Sequence, residues 1–278
     1  MRNIVFRRTL TWQGCARARK RFVMTKDSDS YVRAIARGFE VIDTLGRSPG
    51  RHTLSEVAAS AGLNRATARR ILLTLASLEY CETDGRYFKL KPRVLSLGVA
   101  YLHALPYWGF AHRVLEDLRA EVKESCALAV LDNTDIVYLM RQPSRRILST
   151  HLGIGSRLPA HLVSLGRVML AYLPAAERDA RLETLDLQRV TPKTIAGKRR
   201  LKAELQATAE RGYAWVDGEL DPAICGLAVP VRDADGQVHA ALSVNTISGT
   251  LDMREAKARF LVPLQRAAQE IRAYNAFT

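Results

Sequence analysis

The sequence predicts an α+β protein of two modules joined by a helix. Three observations carry the prediction: apolar residues at three- and four-residue spacing in short segments before residue 80, a very apolar stretch from Val94 to Leu105 ahead of Pro106, and strand hairpins interspersed with helices beyond it. At 278 residues, 47% of them hydrophobic, the chain can build packed cores, and its length suits about two domains.

Taken in order, Ile35, Phe39, Ile42 and Leu45 predict a first helix, stopped by Gly46 and Ser48-Pro49-Gly50. Thr53 with Glu56 three residues on forms a capping box for a short second helix carrying Val57, Ala58 and Ala61. Asn64 caps a third helix, with Ala68, Ile71, Leu72, Leu75 and Leu78 along one face and Leu73 off it. Only Ala61-Gly62-Leu63 separates helices two and three, so they cross steeply as a helix-turn-helix. Two strands around Asp84-Gly85, residues 80–83 and 86–90, add a wing. The apolar linker helix that follows needs a partner, either a core of its own chain or, preferably, its twin in a dimer.

Further on, 110–124 reads as a helix, 127–131 and 136–140 as a hairpin, and 147–153 as a further strand. Helices are expected at 161–173, 175–185, 198–211 and 252–274, and a second hairpin at 224–231 and 238–246. The predicted organisation is a basic disordered tail over 1–30, a winged helix-turn-helix over 31–93, a linker or dimerisation helix over 94–109, and an antiparallel sheet with helices over 110–278.

The formal charge of +14 is unevenly spread. Residues 1–26 hold eight Lys or Arg and no acid, residues 31–93 are net +5, and the much longer remainder is net +3. The tail reads as an upstream extension or disordered arm with Met24 as an alternative start, and the protein as cytoplasmic. Cys15, Cys81, Cys126 and Cys225 lie far apart and the six histidines are scattered, which points to reduced thiols, no metal and no cofactor.

The start of the third helix carries Arg65, Ala66, Arg69 and Arg70 away from the apolar stripe, with Thr67 at its border. A helix-turn-helix presents this end to the DNA major groove, where Arg reads guanine and small residues touch thymine methyls. Arg86 and Lys89 on the wing and Arg51 before helix two suit phosphates; a solvated basic face is the plainer alternative.

The second module offers no catalytic constellation. Leu162-Val163-Ser164-Leu165-Gly166 lacks the first glycine of a nucleophile elbow, and Asp217, Glu219 and Asp221 beside Gly218 and Pro222 read as a solvated turn. A serine hydrolase with an accessory nucleic-acid module, using Ser164 and His161, is the rival reading. Ser243 and Asn245 share one side of a strand, and Ser164 stands at a strand-to-helix junction whose free N–H groups can hold a carboxylate.

The strings LSEVAASAGLNRATARRILLTLASLEYCE, LPAHLVSLGRVMLAYL, TPKTI, GYAWVDGEL and GLAVPVRDADGQVHAALSVNT, in this order, resemble the IclR family of bacterial transcription regulators. KPRVLSLGVAYL is similar to the branch controlling aromatic-acid breakdown through the β-ketoadipate pathway. The resemblance implies a GAF-like second domain that binds a small organic acid, such as protocatechuate, 4-hydroxybenzoate or β-ketoadipate. It places ligand contacts at Ser164, Leu165, Val216 or Asp217, Gly226, Ser243 and Asn245, with Gly226 standing where the family often has Cys, Ser or Thr. The expected partners are a palindromic operator, the acid, and a second copy of the chain in a homodimer or dimer of dimers.

Overall fold

A computed structural model describes residues 30–144 and 152–275, and the chain divides into two compact units that meet between Leu97 and Gly98. The basic tail, and the part of the predicted 147–153 strand up to His151, lie outside the described residues. Leu152 and Gly153 are not in a strand.

In the first unit α1 (Arg33–Gly46), α2 (Leu54–Ser60) and α3 (Arg65–Ser77) pack around Val41, Leu45, Val57, Leu72 and Leu75. A three-stranded antiparallel sheet adjoins them, β1 (His52–Thr53) and β2 (Cys81–Thr83) flanking β3 (Tyr87–Leu90). Both predicted caps form: Thr53 and Glu56 exchange bonds at the start of α2, and Asn64 Oδ1 accepts from Thr67 N at 2.8 Å. The predicted first helix forms, and its apolar positions divide between two faces. Val41, Thr44 and Leu45 face the core, whereas Ile35 and Phe39 are 59% and 54% exposed, because the core meets the neighbouring face of the helix. On α3, Ala68, Leu72 and Leu75 are buried but Leu78 is exposed, like Leu73.

After a turn at Pro92–Val94, α4 (Leu95–His103) carries no buried residue; Leu95, Leu97, Val99 and Tyr101 are exposed.

The second unit is built on a six-stranded antiparallel sheet. It comprises β4 (Ser125–Asp132), β5 (Asp135–Gln142), β6 (Arg157–Pro159), β7 (Ala214–Asp217), β8 (Ile224–Arg232) and β9 (Val238–Ile247), ordered β6-β5-β4-β9-β8-β7. Strand alternation divides the cores. Cys126, Leu128, Leu227, Val229, Leu242 and Val244 face α5 (Trp108–Val122) and α9 (Met253–Asn275). Ala127, Ala129, Ala214, Ala228 and Ala241 face the other way. These short side chains let α6 (Ser164–Ala171) lie close on the sheet, with all eight of its residues buried, and α7 (Ala175–Thr184) and α8 (Lys198–Arg211) complete the layer.

Two further expectations are corrected here. The predicted 161–173 helix is a short turn, Ala160–Leu162, followed by extended Val163 and then α6. Gly166 is the reason the two fit together, since a Cβ there would overlap the Ala160 backbone. The strand β7 was not expected from the sequence, and the segment after it is not a solvated turn throughout, because Glu219 is buried.

Candidate DNA interface and effector cavity

On α3, Arg65, Ala66, Arg69 and Arg70 are exposed and Thr67 is half-buried. Among the described residues none of the three arginines pairs with a carboxylate, so all three guanidinium groups are available to an anionic partner. Asn64 spends its side-chain oxygen on the cap. On the wing, Arg51 reaches Asp84 at 3.5 Å, Lys89 reaches Glu82 at 3.4 Å, and Arg86 lies over the Tyr87 ring at 5.1 Å. Asp84 accepts from Tyr87 N and Arg86 N, and these bonds, with Arg51 nearby, hold its carboxyl below the usual range. Exposed pairs of this kind contribute about 0.2–1 kcal/mol, so phosphates can displace them.

The second unit holds a cavity of about 430 Å³ bordered by α6 and by β5 to β9. Ser164, Leu165, Val216, Gly226 and Asn245 line it, so β7 turns Val216 rather than Asp217 inward. Asp217 is a correction: its carboxylate accepts from Lys193 Nζ at 2.6 Å and Ser248 Oγ at 2.5 Å. Burial pushes that carboxyl upward, but the two hydrogen bonds outweigh it and hold the group below the ordinary Asp range. Ser243 also stands behind the wall, fully buried, its hydroxyl accepting from Asn245 Nδ2 at 2.9 Å. It orients the amide that does line the cavity.

Gly226 pairs in register with Asn245 across β8 and β9. A Cβ at 226 would collide with Asn245 Oδ1 and come within 3.0 Å of Ser164 Oγ. The absent side chain is thus matched by the Asn245 amide, which occupies its place.

Six lining or supporting residues were not assigned to the site from the sequence. Tyr138 and Arg141 of β5 line the cavity, and Arg141 is the one cationic side chain among its described lining residues. Arg141 Nη1 donates to the Leu152 carbonyl at 3.0 Å. Glu219 forms part of the wall and accepts from Arg167 Nη2 at 2.5 Å and from Ile195 N at 2.9 Å. Arg167 Nε donates to the His161 carbonyl at 3.0 Å, and the pair is almost wholly buried. Thr191 and Thr194 hold the backbone carbonyls of Gly218 and Glu219 at 2.6 and 2.7 Å. A lone arginine within the apolar run of α6 was the available signal, since a buried charge demands a partner.

Nothing here activates a nucleophile. Neither ring nitrogen of His161 has a hydrogen-bond partner, so Ser164 and His161 form no dyad and the hydrolase reading fails. Among the described residues no single helix is long and apolar enough to cross a membrane.

A capped, arginine-bearing second helix of a helix-turn-helix in one unit and a ligand-sized cavity in the other define a ligand-responsive DNA-binding regulator. The chain belongs to the IclR family: residues 99–273 match the bacterial transcriptional regulator IclR C-terminal domain and residues 34–85 the IclR helix-turn-helix domain. It is 35% identical to the Pca regulon regulatory protein of Pseudomonas putida, over 89% of this chain and 85% of that one. It is 30% identical to the p-hydroxybenzoate hydroxylase transcriptional activator of Acinetobacter baylyi, over 88% and 92% respectively. An IclR homologue from Microbacterium hydrocarbonoxydans, solved in complex with 4-hydroxybenzoate, superposes with a TM-score of 0.77 at 26% identity, covering 88% of this chain and all of the other. The protein is a transcriptional regulator rather than an enzyme.

Proposed function

We propose that the effector is a small aromatic or ring-cleavage acid, with 4-hydroxybenzoate and protocatechuate the leading candidates. The observation that carries this reading is that Arg141 is the one cationic side chain among the described lining residues of a cavity walled largely by apolar groups. Glu219 is neutralised by Arg167, and Asp221 accepts from Ala223 N. Among the described lining residues a carboxylate entering the cavity can pair with Arg141, while Ser164 and Asn245 are placed for a second polar group. The relatives named for the Pca regulon and for p-hydroxybenzoate hydroxylase, and the 4-hydroxybenzoate complex, support the same chemistry.

On this reading Arg65, Ala66, Thr67, Arg69 and Arg70 read bases, Asn64 positions the helix start, and Arg51, Arg86 and Lys89 hold phosphates. The exposed apolar residues of α4 pair with those of a second copy, in a dimer or dimer of dimers, over a palindromic operator in the cytoplasm. The ligand acts through its different affinity for two arrangements of the protein. The test is a thermal-shift and calorimetric screen of wild type and Arg141→Ala against 4-hydroxybenzoate, protocatechuate, β-ketoadipate and 4-hydroxybenzamide. Wild type should prefer an acid to the amide, and Arg141→Ala should lose that preference; no response to any acid removes the assignment. Gel shifts on the upstream DNA, with and without the bound acid, test the regulatory consequence.

A further inference from the structure

Leu73 has no place in the core or in the interface described so far. It lies within α3, yet it is 41% exposed and packs against none of the buried cluster of its unit. That cluster takes Leu72 and Leu75, with Ala68 buried beside them. At 3.6 residues per turn, Leu73 points about 100–160° away from all three. The same geometry sets it within about 60° of Ala66, Arg69 and Arg70. Leu73 is thus the large apolar side chain on the arginine-bearing face of the helix.

An exposed leucine on an ordinary solvated face needs no explanation. This one completes a pattern. Ala66, Arg69, Arg70 and Leu73 follow the spacing i, i+3, i+4, i+7, and all four are exposed. Recognition helices of three-helix DNA-binding domains present their major-groove residues at that spacing. Among the described residues neither Arg69 nor Arg70 has a carboxylate partner, so the leucine is flanked by cations open to an anionic partner. Leucine neither donates nor accepts a hydrogen bond, and the apolar feature of the major groove is the C5 methyl of thymine. Ala66 lies seven residues earlier, about 10.5 Å along the helix axis. With base pairs rising about 3.4 Å each, the two side chains meet different pairs.

We propose that Leu73 is a specificity-determining residue that reads the methyl group of an operator thymine. The proposal rests on α3 as the base-reading helix. Contact with Leu73 takes the methyl and the leucine out of water together, which favours thymine. A polar base edge held against the same side chain loses its water and gains no partner, which disfavours the other bases.

The experiment selects a site for the full chain from a randomised duplex library. Its thymines are then replaced one at a time by 2′-deoxyuridine, which deletes the methyl and keeps every hydrogen-bonding group. Wild type should bind one such duplex about fourfold more weakly, the equivalent of one buried methyl-sized group. Leu73→Ala should bind that duplex and its parent alike, with the melting temperature of wild type, because the side chain it trims is exposed. Leu73→Met, which keeps an apolar reach, should restore the discrimination. A selected site without a preferred thymine, a wild type indifferent to every uridine, or a Leu73→Ala protein that keeps each uridine effect in full would overturn the role of Leu73. Arg69→Ala separates that outcome from failure of the underlying reading. If it still flattens sequence preference, α3 remains the base-reading helix without Leu73; if neither variant changes the preference, both assignments fall.

Discussion

Glu219→Ala tests the internal scaffold of the effector cavity most directly. The substitution removes the carboxylate that Arg167 Nη2 meets at 2.5 Å and Ile195 N at 2.9 Å, in a pair whose side chains are 2% and 8% exposed. What remains is a buried guanidinium with the His161 carbonyl as its surviving partner. Removing one partner of a buried pair costs about 3–5 kcal/mol, because the other charge stays desolvated. In a unit the size of Gly98–Thr278, each kcal/mol shifts the melting temperature by about 2–4 °C, so a fall of roughly 6–20 °C is expected. Glu219→Gln, which keeps an acceptor but loses the charge, should cost about 1.5–3 kcal/mol. Asp179→Ala removes an exposed contact to Lys202 and should stay within about 1 kcal/mol of wild type. Calorimetry or circular dichroism melts of the three variants decide the matter. A Glu219→Ala protein melting within about 3 °C of wild type would refute the view that this pair ties α6 to the cavity wall. The salt response adds an independent check, since a buried pair is screened far less than the Asp179–Lys202 contact.

Arg69→Ala is expected to flatten the preference for operator over competitor DNA, while Lys89→Ala weakens all sequences alike and lowers the salt slope by about one; identical behaviour in gel shifts would remove the division between base reading and phosphate holding. Gly226→Ala should weaken effector binding by at least about tenfold in calorimetry, the equivalent of about 1.4 kcal/mol, because its Cβ displaces the Asn245 amide, whereas the paired change Gly226→Ser with Asn245→Ala should restore space and alter which acid binds. His161 and His239 both have pKa values pushed below the ordinary range, first by burial. The unfolded chain then binds protons that the folded one does not, so stability is fully present above about pH 6.5 and is lost as pH falls toward the folded values. The melting temperature should drop between pH 7 and pH 5.5, and a His161→Phe, His239→Phe double variant should lose most of that slope.

How much of this was legible in the sequence depended on how local the signal was. The capping box of α2, the Asn64 cap and the exposed arginines of α3 depend on spacing within a few residues, and the structure places them as that spacing implies. The cavity was legible only in part. Ser164, Leu165, Gly226 and Asn245 do converge, but the choice between Val216 and Asp217 is a question of which way one edge strand faces, and the sequence offers four residues with which to decide it. Arg167 and Glu219 lie 52 positions apart, and Asp-Gly-Glu-Leu-Asp-Pro has the composition of a turn, so nothing local revealed that its central carboxylate is buried. The exchange of space between Gly226 and Asn245 is a property of register, which emerges only when β8 and β9 pair.

The helix α1 was legible, but which of its faces is covered was not. That helix has two apolar stripes at helical spacing, Val41 with Leu45 and Val32 with Ile35 and Phe39. The first packs against the core of its own unit and the second stays exposed, as do Leu95, Leu97, Val99 and Tyr101 on α4. Periodicity identifies a face that burial would stabilise, but it does not say whether the covering surface belongs to the same chain. The surplus stripe is therefore information about assembly rather than an error in folding logic. If these faces meet a second copy, Phe39→Glu and Val99→Glu should each convert the protein to monomer by sedimentation while leaving the helix content of the chain unchanged. A monomer that still holds a two-half-site operator with wild-type affinity would separate the exposed stripes from DNA recognition.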